Sequence, residues 1–592
     1  MKQFFITLAG VFAGLLLFFV GLPLVLVAMA VGSAKPAATP DATVLALDLR
    51  GSLNDQDSAA PFAFSGPEDS VLGIIRTLRR AEDDDKIKGL FIRLPETGMA
   101  PAAAEELRTA IQSFRRSGKV VVAHSQGLYP AGPVVSTYML GAAANEFWMQ
   151  ENASLQAVGF ASEEMFLKGA FDRYGIVPDF QKRAEYKTAP NAYLETNFTP
   201  EHRESQLSWM GSVYGSAVAN AAADRKQPVQ TLRAALEGGP YTAPVARQRG
   251  LIDKLGQVEQ AEKALLDRFG DDAELVELED YGEGEDEGSG PVIAVVEAEG
   301  AIVTGKSEDA GFGAAPTVYS DDLARALYDA AEDDDVKAVV FRISSPGGSD
   351  TASEQILGGV RAVKAAGKPV VVSMGTYAAS GGYWIASQAD RIIAQPTTIT
   401  GSIGVFGGKF AIGPALERFG VNLEEVAVGG EFATAYSAET PFNQAQRAAF
   451  SALIDQTYRE FVQRVAVGRK LDPARVNEIA RGRVWTGVQA KQLGLIDGLG
   501  GFYAAVAEAK RLAKIDADED VTFRRLPGEK NPFEALEGMF GVSASSVRTL
   551  AAAGWLLGDP RATRIMDTLA EARMRDVSTG RGGATVMADR PF

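Results

Sequence analysis

The residues of this chain with chemical potential are a serine, a lysine and a pair of glycine turns, set far apart in the sequence. Ser380 stands in "GTYAASGGYWIAS" (375–387), where a short apolar strand, "PVVVSM" (369–374), runs into small residues and a helix begins. A hydroxyl placed there can attack a carbonyl once another group takes its proton, and the usual acceptor is histidine. The chain has two histidines in 592 residues. His124 ends a strand and His202 lies in "TPEHRESQ", read as an exposed first helical turn; neither has a serine partner in its own motif. A lysine can take the proton if burial lowers its pKa from ~10.4 by about 3 units. Lys187, in "RAEYKTAPN" (183–191), has Tyr186, Ala189 and Pro190 as apolar neighbours, which permits such a pocket. Donors for an oxyanion are offered by "SPGGSD" (345–350), where a Pro-Gly-Gly turn leaves the N–H groups of Gly347 and Gly348 free to point into a cleft. The amide of Gly381, at a helix start beside Ser380, is a further donor. Ser402, in "TITGSIGV", is available to orient a lysine amine. On spacing alone the bland readings stay open: "SGG" is a short pattern, and a lysine in a polar loop is ordinarily a solvated charge.

An internal repeat ties these residues together. "RAEDDDKIKGLFIRL" (80–94) returns as "AAEDDDVKAVVFRI" (330–343), and "YMLGAAANEFWMQ" (138–150) returns as "YWIASQADRIIAQ" (383–395). Gly159 pairs with Gly404 at a separation of 245, too long for a solenoid and right for two duplicated domains. The halves have unequal chemistry. The first has Val135 where the second has Ser380, Ala157 where it has Ser402, and "LPETGMA" (94–100) where it has the Pro-Gly-Gly turn. The second has Ala433 where the first has Lys187. One half offers a serine with oxyanion donors, and the other offers a lysine.

β-branched runs alternate with amphipathic stretches in both halves, which predicts parallel α/β architecture. The Asp runs at 83–85 and 333–335 read as solvated helix ends. The expected organisation is a membrane anchor over 1–40, a first repeat over 41–278, an acidic Gly-rich linker over 279–291, a second repeat over 292–526 and a helical or flexible tail over 527–592. The anchor rests on an uncharged stretch from 4 to 32 that follows Lys2. At ~1.5 Å per residue it reaches ~42 Å, beyond the ~30 Å hydrocarbon core, and exceeds an ordinary secretory h-region of ~7–15 residues. It predicts an uncleaved anchor with the N-terminus cytoplasmic and the rest across the membrane; cleavage after "VGSA" (31–34) is the alternative. A net charge of −17 argues against a nucleic-acid partner. The absence of cysteine excludes thiol chemistry, and two histidines argue against a histidine-built metal site. No cofactor or metal is expected, and no P-loop or dinucleotide fingerprint is present.

"FRISSPGGSDTASEQI", "YAASGGYWIAS" and "PTTITGSIGV" in the second half, with "AEYKTAPN" in the first, closely resemble the long, duplicated form of the bacterial signal peptide peptidase A family, within the S49 serine peptidases. The resemblance runs from the anchor to about residue 525. It implies a Clp-protease-like (crotonase-like) α/β fold in each half and a Ser/Lys dyad split across them. Ser380 would be the nucleophile, Lys187 the general base, Ser402 the lysine-contacting serine, and Gly347 with Gly381 the oxyanion donors. The resemblance further implies an inner-membrane protein facing the periplasm, a homotetramer, and signal peptides as substrates. The sequence departs from the family in "RISSPGG", where Asn often precedes Ser-Pro-Gly-Gly, and in its long tail. The rival readings are a non-catalytic membrane-anchored scaffold and a crotonase-type acyl-CoA enzyme.

Overall fold

The computed structural model describes residue 10 and residues 39–56, 70–281, 290–307 and 316–527. Two parallel sheets dominate it. The first has the spatial order Lys254–Leu255, Glu146–Met149, Val120–Ser125, Ile87–Arg93, Thr43–Asp48 and Glu274–Glu277. Its central strands are runs such as "TVLALD" and "IKGLFIR", buried on both faces, as expected of strands covered by helices on either side. The second sheet repeats the order with Gly498–Leu499, Arg391–Ala394, Val370–Ala379, Val336–Ser345, Val292–Glu299 and Thr522–Leu526. In both, the last strand of the half returns to pair with the first.

The second sheet adds a fork. Val370–Ala379 is ten residues long, so its start pairs with Arg391–Ala394 and its end with Ile399–Gly401, which pairs antiparallel with Val484–Thr486. That extension carries the chain past the sheet to Ser380. The helix after the Pro-Gly-Gly turn, Asp350–Ala365, starts where Ser349 caps it by accepting from the Ala352 N–H.

The halves share one interior. The helix Phe502–Ala513 of the second half buries Phe502, Ala505, Val506 and Ala509 in the cluster that holds Leu45, Leu78 and Leu107 of the first. Beside it Arg342, with no exposed surface, uses all five N–H donors: two to Asp55, two to Glu106 and one to Ser373 Oγ, at 2.6–3.2 Å. Glu106 also accepts from the Phe502 N–H at 2.6 Å. Two carboxylates of the first half thus neutralise one guanidinium of the second inside the joint. Arg342→Met is expected to lower the unfolding free energy by about 3–5 kcal/mol, because it strands both carboxylates in a dry interior. A lower urea midpoint at unchanged slope would register that loss; a midpoint within error of the parent would show that water reaches the joint.

The stretch 4–32 apart from residue 10, the linker core 282–289 and the tail from 528 onward lie outside the described residues. Among the described residues no helix is long and apolar enough to cross a membrane.

Candidate active site

Ser380 is the N-cap of the helix Gly381–Ala386 and sits at φ 54°, ψ −120°. A side-chain-bearing residue is strained there, and such strain persists only where the surroundings hold it. The Ser380 N–H donates to the Gly401 carbonyl at 2.9 Å, and its own carbonyl accepts from Tyr383 and Trp384 at 3.0 and 2.9 Å. Both aromatic residues are buried anchors, Tyr383 through its hydroxyl to the Leu495 carbonyl and Trp384 through its indole N–H to Glu354. Pinned from both sides, the serine oxygen is held out at the strand-to-helix turn.

Lys187 arrives from the other half. The strand Val177–Lys182 pairs antiparallel with Phe406–Ala411, with Lys182 opposite Phe406, and delivers the loop 183–191 across the joint. Arg183 N–H then bonds the Val405 carbonyl at 2.8 Å and Tyr186 N–H the Arg481 carbonyl at 3.1 Å. Lys187 Nζ lies 3.1 Å from Ser380 Oγ, 2.9 Å from Ser402 Oγ and 3.3 Å from the Ser402 carbonyl oxygen. Nζ donates to all three oxygens, and in its neutral form the amine can keep two N–H groups on Ser402 and turn its lone pair to the Ser380 O–H. The side chain is 4% exposed, with the Phe406 ring 5.9 Å from Nζ and, among the described residues, no ion pair to it. Burial without a counter-charge pushes its pKa down to about 7.

The glycine turn differs in detail from the expectation. Gly347 N–H is taken by Ser345 Oγ at 3.1 Å, so Gly347 is not a free oxyanion donor. It serves by its missing side chain: at φ 104°, a Cβ there would stand 2.6 Å from Gly381 N and 2.8 Å from Ser380 Cβ. Gly348 N–H and Gly381 N–H make no hydrogen bond among the described residues, and a Cβ on Gly381 would lie 3.0 Å from Gly348 N. The free donor pair beside Ser380 is therefore Gly348 with Gly381.

Neither histidine reaches this site. His124 is buried in the first sheet with Nε2 3.1 Å from the Gly256 carbonyl. His202 does lie in the first turn of the helix Pro200–Asp224, but it is buried, not exposed as its polar neighbours implied. It packs edge-on against Phe166 and Phe198, 3.2 Å from Glu164.

One residue at the lysine pocket was missed from the sequence. Gly482, at φ 78°, passes so close to Lys187 that a Cβ would stand 2.5 Å from both the lysine Cβ and its backbone N. Its N–H bonds the Ile403 carbonyl at 2.9 Å, next to Ser402. A signal did exist: "GGPYT" (238–242) and "GRVWT" (482–486) are repeat counterparts, and in both halves the strand that follows pairs antiparallel beside the site loop. Gly482→Ala is expected to push Lys187 off its line to Ser380 and lower kcat about 10²-fold, the cost of an ångström-scale misplacement. Wild-type kcat in a folded Gly482→Ala protein would show that the loop absorbs the methyl group.

Comparison with known proteins follows the same geography. The sequence matches the model of Peptidase family S49 twice, over residues 113–269 and 362–516; the first match holds Lys187 and the second holds Ser380 and Ser402. It is 34% identical over 464 residues to Protease 4 of Salmonella typhi, covering 76% of this chain and 73% of that protein. It is 28% identical over 518 residues to a chloroplastic serine protease SPPA of Arabidopsis thaliana, covering 85% and 74%. A putative signal peptide peptidase SppA of Enterococcus faecium is 32% identical over 184 residues, covering 31% of this chain and 53% of that protein.

Proposed function

This chain belongs to peptidase family S49, and from that premise we propose that it is a serine endopeptidase in which Ser380 attacks the peptide carbonyl and Lys187 is the general base. The observation that carries this reading is the 3.1 Å contact between Ser380 Oγ and a buried lysine whose pKa is lowered to about 7. As Oγ bonds the carbonyl carbon, its proton passes to Nζ. The oxyanion that forms takes the N–H groups of Gly348 and Gly381, preorganised donors that need no rearrangement as charge develops. The ammonium, steadied by Ser402 Oγ and its carbonyl, returns the proton to the leaving amine. The same lysine then activates the water that releases the acyl group from Ser380.

The substrates proposed are cleaved signal peptides and other extended apolar peptides; signal peptides are the class named for the Enterococcus relative. The anchor over 4–31, a catalytic part in the periplasm, a Clp-protease-like arrangement in each half and a homotetrameric assembly complete the proposal. A scaffold has no use for the Ser380–Lys187 contact, and a crotonase-type acyl-CoA enzyme requires no such pair. A fluorophosphonate probe tests the reading. It should label Ser380 alone, as read by peptide mass mapping, and a Leu- and Ala-rich peptide should protect against labelling far better than an acidic one. Absence of label, or a label elsewhere, would remove the peptidase assignment.

A further inference from the structure

At the carboxyl ends of both sheets the two halves leave a crevice of about 600 Å³ that the hydrolytic pair does not use. The first half supplies Leu49, Leu53 and Met99 to its walls, and the second supplies Pro346 and Tyr377. A cavity of this size, set between domains beyond the strand ends of α/β sheets, is where such folds hold ligands. Two chain segments connect it to the active site. Pro346 is joined directly to the glycine turn, and Tyr377 precedes Ser380 by three residues, ~10 Å at ~3.3 Å per extended residue.

Two charged residues of the crevice stand at equivalent places in the repeat. Asp48 lies opposite Arg93 in the first sheet and Glu297 opposite Arg342 in the second, so Arg50 and Glu299, two residues further on, correspond. Their surroundings differ. Arg50 is neutralised locally by Asp48, which accepts from its Nε and Nη2 at 2.5–3.1 Å. Glu299 has no such neighbour, because the residue two before it is Glu297, a like charge already bound to Arg525 at 2.8 Å. The Glu299 oxygens accept the N–H groups of Asp55 and Gln56 at 2.9 and 3.0 Å, and among the described residues the carboxylate makes no ion pair. Each oxygen therefore keeps a lone pair for a further donor.

The balance of charge points the same way. Asp55 is turned to Arg342, which it shares with Glu106. Taken with these partners, the crevice sets four carboxylates (Asp48, Asp55, Glu106 and Glu299) against two guanidiniums, Arg50 and Arg342. Burial, with the charge of Asp55 adding to it, raises the Glu299 pKa to about 7, and a cation at the carboxylate would lower it again.

We propose that this crevice is a specificity subsite for one lysine or arginine side chain of the peptide substrate, with its cation on Glu299 and its methylene stem along Leu49, Leu53 and Met99. The proposal rests on the peptidase reading and narrows its substrate class to apolar extended peptides with a basic residue about three residues from the cleaved bond. A lysine or arginine side chain suits both parts of the crevice, since its stem is apolar and its head carries several donors. An acidic side chain meets the surplus of carboxylates, which gives a physical reason for the expected disadvantage of acidic peptides.

Peptides of Leu and Ala with blocked ends, carrying one lysine or one norleucine at successive positions, test this on the full-length protein in detergent. At one position, about three residues from the cleaved bond, lysine should exceed norleucine about tenfold in kcat/KM, the worth of one hydrogen bond to a charged group. That ratio should fall towards one in Glu299→Gln. It should also fall in Ala100→Lys, at an exposed position on the crevice wall, where the added ammonium competes for the carboxylate. Taking the ratio within each variant cancels any general loss of folded enzyme. A ratio near one at every position in the parent, or a preference that survives both substitutions, would overturn the proposal. A parent that cleaves no peptide and takes no fluorophosphonate label counts against the peptidase reading instead. The subsite is then decided by the affinities of the same two peptides, read by fluorescence anisotropy. A tenfold difference that Glu299→Gln abolishes supports it, and equal affinities in the parent overturn it.

Discussion

Peptide hydrolysis is expected to fall by roughly 10⁴-fold or more in kcat in Ser380→Ala, Lys187→Met and Lys187→Arg alike, since nucleophile and base act as one unit. Arginine fails for a distinct reason: its guanidinium stays protonated and cannot accept the serine proton. The lysine variants can be separated from simple misfolding by their stability. Lys187 has a folded pKa of about 7 against an ordinary value of 10.5, so the unfolded chain binds the extra proton between those limits. The folded state therefore carries a penalty of ~5 kcal/mol that is full below pH 7, shrinks as pH rises, and is gone above about 10.5. Lys187→Met removes it, less the hydrogen bonds lost to Ser380 and Ser402. The dead enzyme should thus be more stable than the parent by a few kcal/mol at pH 7, with the gain fading towards pH 10. Denaturant unfolding at several pH values measures this, and a Lys187→Met protein less stable at every pH would mean that the lysine is not held neutral.

The second large effect is the pH dependence of the parent enzyme. Only the neutral amine can take the Ser380 proton, so kcat/KM should rise with pH and level off, with a midpoint near the lowered lysine pKa of about 7. Neither histidine contacts the serine, so His124→Gln and His202→Gln should leave that midpoint in place. A midpoint near 10 would show an amine exposed to water in the working enzyme. A midpoint that moves with either histidine would transfer the base role away from Lys187.

Much of this chemistry was legible because it is local or because the chain repeats itself. A β-branched run followed by small residues and a double glycine marks a strand-to-helix boundary, so Ser380 could be placed at a helix start, although its strained torsions are held by contacts from elsewhere in the fold. The complementary losses, Val135 against Ser380 and Ala433 against Lys187, needed only an internal alignment. The alternating runs were enough for two α/β halves. Burial could not be read that way. The residues beside Lys187 in sequence permit a pocket, but those that close it, Phe406 and Gly482, lie more than 200 positions away. Their approach depends on how the ribbon between the halves sets its register. The choice of Gly348 over Gly347 as a free donor turns on one hydroxyl, Ser345 Oγ, and on the torsions of the turn. His202 was misjudged because polar neighbours along a helix say nothing of what packs on it from elsewhere. Residue order specifies torsional preference and periodicity. Desolvation, which converts Lys187 from an ordinary cation into a base, comes from atoms that only the tertiary fold brings within reach.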